Sequence, residues 1–325
     1  MRNISCDDGS TNVKLAWIEN GEMKTFISPN SFRAGWKVDG IGGGKAWNYV
    51  IAGMKYTADS VSRDAITTTN VEYQYGDMNL LAVHHALLNS SVEPQKVSLT
   101  VTLPVSEYYD GDCQINEENI RRKKQNLMRP LTLNRGQTFE IADVSVMPES
   151  LPAVFSQLAS LKVGPLETSL VIDVGGTTLD AGVLVGQFEG VSAVHGNPGI
   201  GVSMVTRVAQ TALRNAGSET SAFVADTVVR RRHDPEFLNQ VINDASQVES
   251  VVRAIENEID SLGTQVVSDL ARWRNVNRVF LVGGGAGLIE PAVRKAWNLA
   301  PDRIIVSEAP QTALAREIAL FKSEE

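Results

Sequence analysis

Residues 169–180 (SLVIDVGGTTLD) have the residue types and spacing of a phosphate-binding turn. An apolar run ends at Asp173, two glycines and two threonines follow, and a second apolar run begins. The pattern predicts a β-hairpin with a polar tip. Glycines permit close approach of a ligand, and turn N–H groups with hydroxyls can cradle an anion. The predicted phosphate ligands here are Gly175, Gly176, Thr177 and Thr178.

A similar stretch, residues 6–15 (CDDGSTNVKL), lies near the start of the chain. Aligning its Asp7 with Asp173 places Lys14 on Asp180. Either tip alone is also consistent with an ordinary glycine-rich hairpin, and Lys14 with an exposed strand lysine. The two tips together predict a duplicated fold with a nucleotide clamped between the copies. The predicted ligands of the first tip are Gly9, Ser10, Thr11, Asn12 and Lys14.

Three acidic residues are candidates for catalysis and metal binding. Asp7 and Asp173 would face each other beside a triphosphate, which requires a divalent cation between them, so we infer Mg²⁺. Glu149 lies where a predicted strand ends and a helix begins. It is either the residue that orients the attacking water or a helix N-terminal glutamate favoured by the helix dipole, and the local sequence leaves both open.

A third glycine cluster, residues 283–287 (GGGAG), follows the apolar strand pattern 278–282 and precedes a helical one. Such a junction lets a base and ribose lie against backbone, so we expect a nucleoside to contact Gly283, Gly284 and Gly285. The chain has no GxxxxGK[ST] loop, and it opens with a hairpin instead of a Rossmann strand–helix turn.

Length and composition indicate a two-domain protein of the cytoplasm. The 325 residues exceed one ordinary core, no apolar stretch is long enough to span a membrane, and the two cysteines form no paired framework. The net charge of −8 argues against direct binding to the DNA backbone, so any action on DNA would need an adaptor.

The hydrophobic patterns predict two halves that meet near residues 162–165, with a small β-rich insertion over about 29–70 and a turn at glycines 42–44. A helix over 77–89 would have Asp77 as its N-cap. On the helix over 117–128, the basic run 121–124 is interpreted as a solvated face in preference to a partner patch.

The other predicted strands cover 4–6, 14–18, 24–28, 97–103, part of 138–147, 169–174, 180–187, 191–196, 278–282 and 304–306. The other predicted helices cover 152–161, 201–215, 221–230, 247–272, 288 to about 298 and 311–321.

These stretches together resemble the actin/Hsp70/sugar-kinase superfamily and, within it, the ParM (StbA) family of actin-like ATPases of plasmid partition. The resemblance is carried by both tips and the 282–286 cluster, and also by these stretches: 27–32 (ISPNSF), 83–88 (VHHALL), 102–104 (TLP), 107–110 (EYYD) and 147–150 (MPES). It implies an α/β, duplicated actin-like (ribonuclease H-like) fold with the nucleotide cleft between domains. Residues 1–165 with about 308–325 would form domain I, and residues 166–307 domain II.

The resemblance also implies a function. ATP (or GTP) with Mg²⁺ would drive assembly into a helical filament, hydrolysis would destabilise it, and a DNA-binding adaptor on a plasmid centromere-like site would cap it. By position, Asp7 and Asp173 would serve Mg²⁺, Lys14 the phosphates, and Glu149 with Asp173 hydrolysis. The alternative is a small-molecule kinase of the same superfamily, for which Asp180 is an arguable base. An Hsp70-like chaperone would need a peptide-binding domain, and only four residues follow Phe321.

Overall fold

The structure, a computed structural model, describes residues 1–41 and 44–324. Two of the glycines in the predicted turn at 42–44 therefore lie outside the described residues. The strands are Arg2–Asp8 (β1), Asn12–Glu19 (β2), Glu22–Pro29 (β3), Phe32–Ala34 (β4), Asn48–Ile51 (β5), Met54–Ala58 (β6), Lys96–Leu103 (β7), Thr132–Leu133 (β8), Glu140–Pro148 (β9), Thr168–Val174 (β10), Leu179–Val185 (β11), Gly190–Asn197 (β12), Arg278–Val282 (β13) and Ile304–Val306 (β14). The α-helices are Asp77–Asn89 (α1), Val105–Tyr108 (α2), Glu117–Leu127 (α3), Phe155–Ser160 (α4), Ser203–Asn215 (α5), Ala222–Arg230 (α6), Pro235–Val241 (α7), Val248–Asp269 (α8), Ala286–Ala296 (α9) and Ala313–Glu324 (α10).

Two five-stranded sheets repeat one plan. The first has the order β3-β2-β1-β7-β9 and the second the order β12-β11-β10-β13-β14. In each, three strands form an antiparallel meander and two further strands add in parallel. The register is the same in both hairpins, because Asp7 pairs with Lys14 and Asp173 pairs with Asp180. The predicted duplicated α/β fold is confirmed.

The central strands of the second sheet are buried on both faces, which explains their nearly continuous apolar sequences. Leu170 and Ile172 point into a core that they share with α5, α8 and α9, while Val171 points to the opposite face. On that opposite face the strands pack against the segment Leu151–Leu158 and helix α10. Helix α10 also contacts β2 of the first sheet through Ala315 and Ala319. It therefore packs against both halves, and the proposed domain division near residue 165 stays a prediction.

The predicted β-rich insertion is a separate four-stranded sheet with the order β4-β6-β5-β8. Its last strand, β8, comes from beyond the insertion, after helix α3. Within the described ranges, no helix is both long and apolar enough to cross a membrane.

Three local predictions need correction. Gly76 is the N-cap of α1, and Asp77 instead accepts a hydrogen bond from Tyr56 and pairs with Arg129. The predicted helix over 152–161 is a 3₁₀ turn, Leu151–Val154, followed by the short helix α4. Helix α7 was not predicted, although Asp234 followed by Pro235 is a helix-start signal.

The interpretation of the basic run 121–124 is wrong for one of its members. Lys123 is 0% exposed, and its Nζ lies 2.5 Å from Oδ2 of Asp8, which is also 0% exposed. The position faces inward because Lys123 shares one face of α3 with Asn126 and Leu127. Asp8 Oδ2 also accepts from Asn79 Nδ2 at 2.6 Å, so a buried ion pair lies directly behind the first tip.

Removing Lys123 alone should be strongly destabilising, because Asp8 would then be a buried charge without a counterion. We expect Lys123→Met to lower the free energy of unfolding by about 3–5 kcal/mol. The matched control is Lys124→Met, at the exposed neighbouring position, which should change it by less than about 0.5 kcal/mol. Denaturant unfolding measures both values, and equal effects of the two substitutions would contradict the buried pair.

Candidate functional site

The two predicted tips meet end to end between the sheets. The first loop, residues 9–11, joins β1 to β2, and the second loop, residues 175–178, joins β10 to β11. Ser10 Oγ lies 2.5 Å from Thr177 Oγ1. A Cβ at Gly176 would collide with the side chain of Thr11. Glycine at this position is therefore what allows the two loops to touch.

Neighbouring elements hold each loop in place. At the second loop, the start of α5 donates from Val202 N to Gly175 O at 3.0 Å and from Ser203 N to Gly176 O at 2.8 Å. At the first loop, Asn30 Nδ2 donates to the carbonyls of Gly9 and Ser10, both at 2.9 Å. Sequence reasoning gave Asn30 no role. Its signal was its place directly after Ser28 and Pro29 at the end of β3, but the separation of about 20 residues hides the contact.

Most of the predicted site residues line one cavity between the loops, here called the interloop cavity. Gln74, from a 3₁₀ turn over Val71–Tyr75, also lines it and was not predicted. The predicted residues that the structure brings together there are Asp7, Gly9, Ser10, Lys14, Glu149, Asp173, Gly175, Gly176, Thr177, Thr178, Gly283 and Gly284.

The other predicted ligands lie nearby. Thr11 and Asn12 line an adjoining outer cavity of about 380 Å³, which is also lined by Thr206 from α5 and Asp226 from α6. A narrower cleft shares Thr11 and Asn12 with the outer cavity, and Lys14 and Gly284 with the interloop cavity. Gly285 instead packs against Val174 and Val202, where a Cβ would meet their side chains at 2.8 and 2.9 Å. The outer cavity has the size of a small-molecule site.

The interloop cavity concentrates carboxylates in a buried environment. Lys14 Nζ lies 3.1 Å from Asp7 Oδ2, and it is the one Lys or Arg among the described residues that line the cavity. Burial raises the pKa of Asp7 despite this partner. Burial, reinforced by the charges of Asp7 and Asp180, raises the pKa of Asp173 to about 7. Burial opposes the charged form of Lys14 as well, but attraction to Asp7 raises its pKa overall.

The oxygen donors suit a hard cation that keeps part of its hydration. Asp7, Glu149 and Asp173 line the interloop cavity with one ammonium, so carboxylates exceed ammonium groups there. Within residues 1–41 and 44–324, no three such side chains converge as a complete metal cage. This donor set fits Mg²⁺ because that ion binds through one or two carboxylates together with water and phosphate.

Glu149 has an unusual setting. Its Oε1 is buried and has no hydrogen-bond partner among the described residues. Burial, followed by the charges of Asp180, Asp7 and Asp173, raises the pKa of Glu149 well above its ordinary value. The next residue, Ser150, has φ +73° and ψ −78°. An orphaned acceptor beside a strained backbone is typical of a functional position, in preference to a helix cap.

Asp180 does not line the interloop cavity. Its Oδ1 accepts from Val105 N at 2.7 Å, so it ties the second hairpin to helix α2 of the other half. Burial raises the pKa of Asp180 to about 6, against the opposing hydrogen bonds from Thr178 and Val105. The arrangement leaves Asp180 engaged in an inter-half contact instead of free as a base.

Two family models match the chain over almost its whole length. One, described as the N-terminal part of plasmid segregation protein ParM, matches residues 2–160, and one described as the C-terminal part matches residues 163–321. A search of curated proteins found no match.

Solved structures share the fold. A ParM filament from Clostridium botulinum, described as 15-stranded, has a TM-score of 0.71 and 15% identity, over 100% of this chain and 99% of that one. Ta0583, an archaeal actin homologue solved with ADP, has a TM-score of 0.69 and 15% identity over 100% of both chains. The filament of AlfA from a B. subtilis plasmid has a TM-score of 0.60 and 12% identity, over 98% of both chains. The predicted actin-like fold is confirmed.

The raised pKa of Asp173 gives a pH dependence with a definite sign. Between its ordinary pKa near 4 and the folded value of about 7, the folded state holds a proton that the unfolded state has lost. Asp173 therefore makes the protein less stable as pH rises through this window. We expect Asp173→Asn to become more stable relative to wild type, by at most about 1.4 kcal/mol per pH unit, and to level off above about pH 7.

Denaturant unfolding at several pH values, without nucleotide or divalent cation, measures this difference. The charge-matched control is Asp143→Asn, at an exposed position of β9. A flat difference between Asp173→Asn and wild type from about pH 5 to 7 would contradict the raised pKa.

Proposed function

Because the chain belongs to the ParM family of plasmid segregation proteins, actin-like filament proteins, we propose that it is an ATPase whose assembly follows the state of a bound nucleotide. The observation that carries this proposal is the meeting of two equivalent glycine loops over a buried carboxylate cluster. Phosphoryl transfer requires positioning and charge neutralisation, and this cavity has groups for both.

The residues divide the work between the phosphates and the nucleoside. The loop N–H groups and the Ser10 and Thr177 hydroxyls would bind phosphate oxygens, with Lys14 as the nearby ammonium. Asp7 and Asp173 would hold Mg²⁺ through its waters, and the bound ion would neutralise phosphate charge. The base and ribose would occupy the outer cavity and adjoining cleft, beside Gly284, whether the nucleotide is ATP or GTP.

Glu149 is the proposed catalytic residue. Its unpartnered Oε1 can accept a hydrogen bond from water, which would orient that water for attack on the terminal phosphate. Its raised pKa suits transient acceptance of the water's proton. Asp173 would contribute as a Mg²⁺ ligand in the same cavity.

Nucleotide state and filament state would be coupled through the two loops. Each loop belongs to a different sheet, so a phosphate group bound by both would fix one half against the other. We propose that this closed arrangement favours contacts between copies, and that loss of the terminal phosphate weakens them. The net charge of −8 suits a cytoplasmic protein that reaches plasmid DNA through a DNA-binding adaptor.

The alternative, a small-molecule kinase, loses its candidate base. Asp180 is 1% exposed and accepts the Val105 N–H, outside the interloop cavity. No observation on the described residues favours a second substrate, and the filament function is therefore the one we propose.

Assembly should depend on a nucleoside triphosphate and Mg²⁺. In purified protein, we expect ATP or GTP with Mg²⁺ to raise light scattering and sedimentation, and electron micrographs to show filaments. Protein with EDTA or without nucleotide should stay dispersed. Absence of assembly over a wide range of protein, nucleotide and Mg²⁺ concentrations would refute the proposed function.

Glu149→Gln should separate assembly from hydrolysis. The substitution keeps shape but removes the proton acceptor, so filaments should form with ATP while phosphate release falls by about 10²–10⁴-fold. Glu140→Gln, at an exposed position of the same strand β9, is the matched control and should release phosphate like wild type. Rapid phosphate release by Glu149→Gln filaments would exclude the catalytic role.

A further inference from the structure

Gln74 connects the buried ion pair with the interloop cavity. It lines that cavity and is 4% exposed. Its Oε1 accepts a short hydrogen bond from Lys123 Nζ. The same ammonium contacts Asp8 Oδ2 at 2.5 Å and Asn79 Oδ1 at 3.2 Å. A chain of contacts thus runs from the core of the first half to the cavity surface.

The chemistry of the ammonium group fixes how the Gln74 amide is turned. Lysine donates three hydrogen bonds and accepts none. Its partner on Gln74 must therefore be Oε1, and Lys123 itself is held because all three of its N–H groups have acceptors. The amide NH₂ occupies the other end of the planar group, and no side-chain hydrogen bond from Nε2 occurs among the described residues.

The other charged and hydroxyl donors of the cavity each already have one side-chain partner. Ser10 and Thr177 bond to each other, and Lys14 pairs with Asp7. The cavity is also lined by three carboxylates, which repel phosphate oxygens. A neutral amide with two unused N–H donors is therefore well suited to a phosphate group in this setting.

We propose that Gln74 donates through Nε2 to the terminal phosphate of the bound nucleoside triphosphate, and that the Asp8–Lys123 pair positions it. This inference rests on the proposed function. The terminal phosphate is assigned because Gln74 shares its cavity with Glu149 and Lys14, whereas the nucleoside is assigned to the outer cavity. The contact stabilises the negative charge that develops during phosphoryl transfer. A nucleoside diphosphate has no third phosphate group and does not make this contact.

Gln74→Glu distinguishes this role from a structural one. The new carboxylate still accepts from Lys123, so the ion-pair network keeps its bond, but both N–H donors are lost. We expect phosphate release per filament subunit to fall by about 100-fold, with ADP affinity within about threefold of wild type. The control for the added charge is Gln95→Glu, at an exposed position, which should behave as wild type.

The outcomes separate the two hypotheses. If wild type releases no phosphate, the proposed function fails. If wild type and Gln74→Glu release phosphate equally, only the role of Gln74 is overturned, because a purely structural glutamine predicts that result. If Gln74→Glu does not bind ADP, the uncharged variant Gln74→Met, of similar length, replaces it. Slow phosphate release by Gln74→Met with retained ADP affinity supports the role of Gln74. Phosphate release at the wild-type rate overturns that role.

The positioning role of the ion pair has its own test. The double variant Asp8→Asn with Lys123→Met removes both charges, which avoids leaving one of them buried and unpaired. With the amide no longer fixed, the rate of phosphate release at saturating ATP should fall at least about tenfold while ADP affinity stays within about threefold. An unchanged rate in this variant, with ADP still bound, would overturn the positioning role.

Discussion

The concentration of carboxylates where the two glycine loops meet is the constraint on which the site depends. Asp7, Glu149 and Asp173 lie in a buried cavity with Lys14 as the one Lys or Arg that lines its described part. Like charges in a poorly solvated place are costly, and the raised pKa values of Asp173 and Glu149 express that cost. Under the proposed function, a bound cation and an oriented substrate would relieve this cost.

The two halves follow one duplicated plan, but their hairpins carry different residues at one equivalent register position. Lys14 and Asp180 occupy equivalent places opposite Asp7 and Asp173. Lys14 turns to the acid of its own hairpin, whereas Asp180 accepts the Val105 N–H from the other half. The first hairpin thus carries an ion pair within itself, and the second carries a bond that links the halves.

Much of this arrangement could be predicted from sequence because it depends on residues that are close together in the chain. Apolar runs with a glycine tip gave both hairpins, and the alignment of Lys14 with Asp180 is confirmed by the observed register. Contacts between distant residues left no such pattern. Asn30 supports a loop 20 residues away, and Lys123 looked like one member of an exposed basic run, although α3 turns it toward Asp8. Gln74 showed no signal at all, because its proposed role depends on contact with that buried pair.

The most direct measurement of the central claim is a cryo-electron microscopy structure of filaments formed with Mg²⁺ and a non-hydrolysable ATP analogue. The account predicts the phosphates between residues 9–11 and 175–178, with Glu149 and Gln74 at the terminal phosphate and the ion beside Asp7 and Asp173. A nucleotide bound elsewhere, or held by one loop while the other faces away, would contradict it.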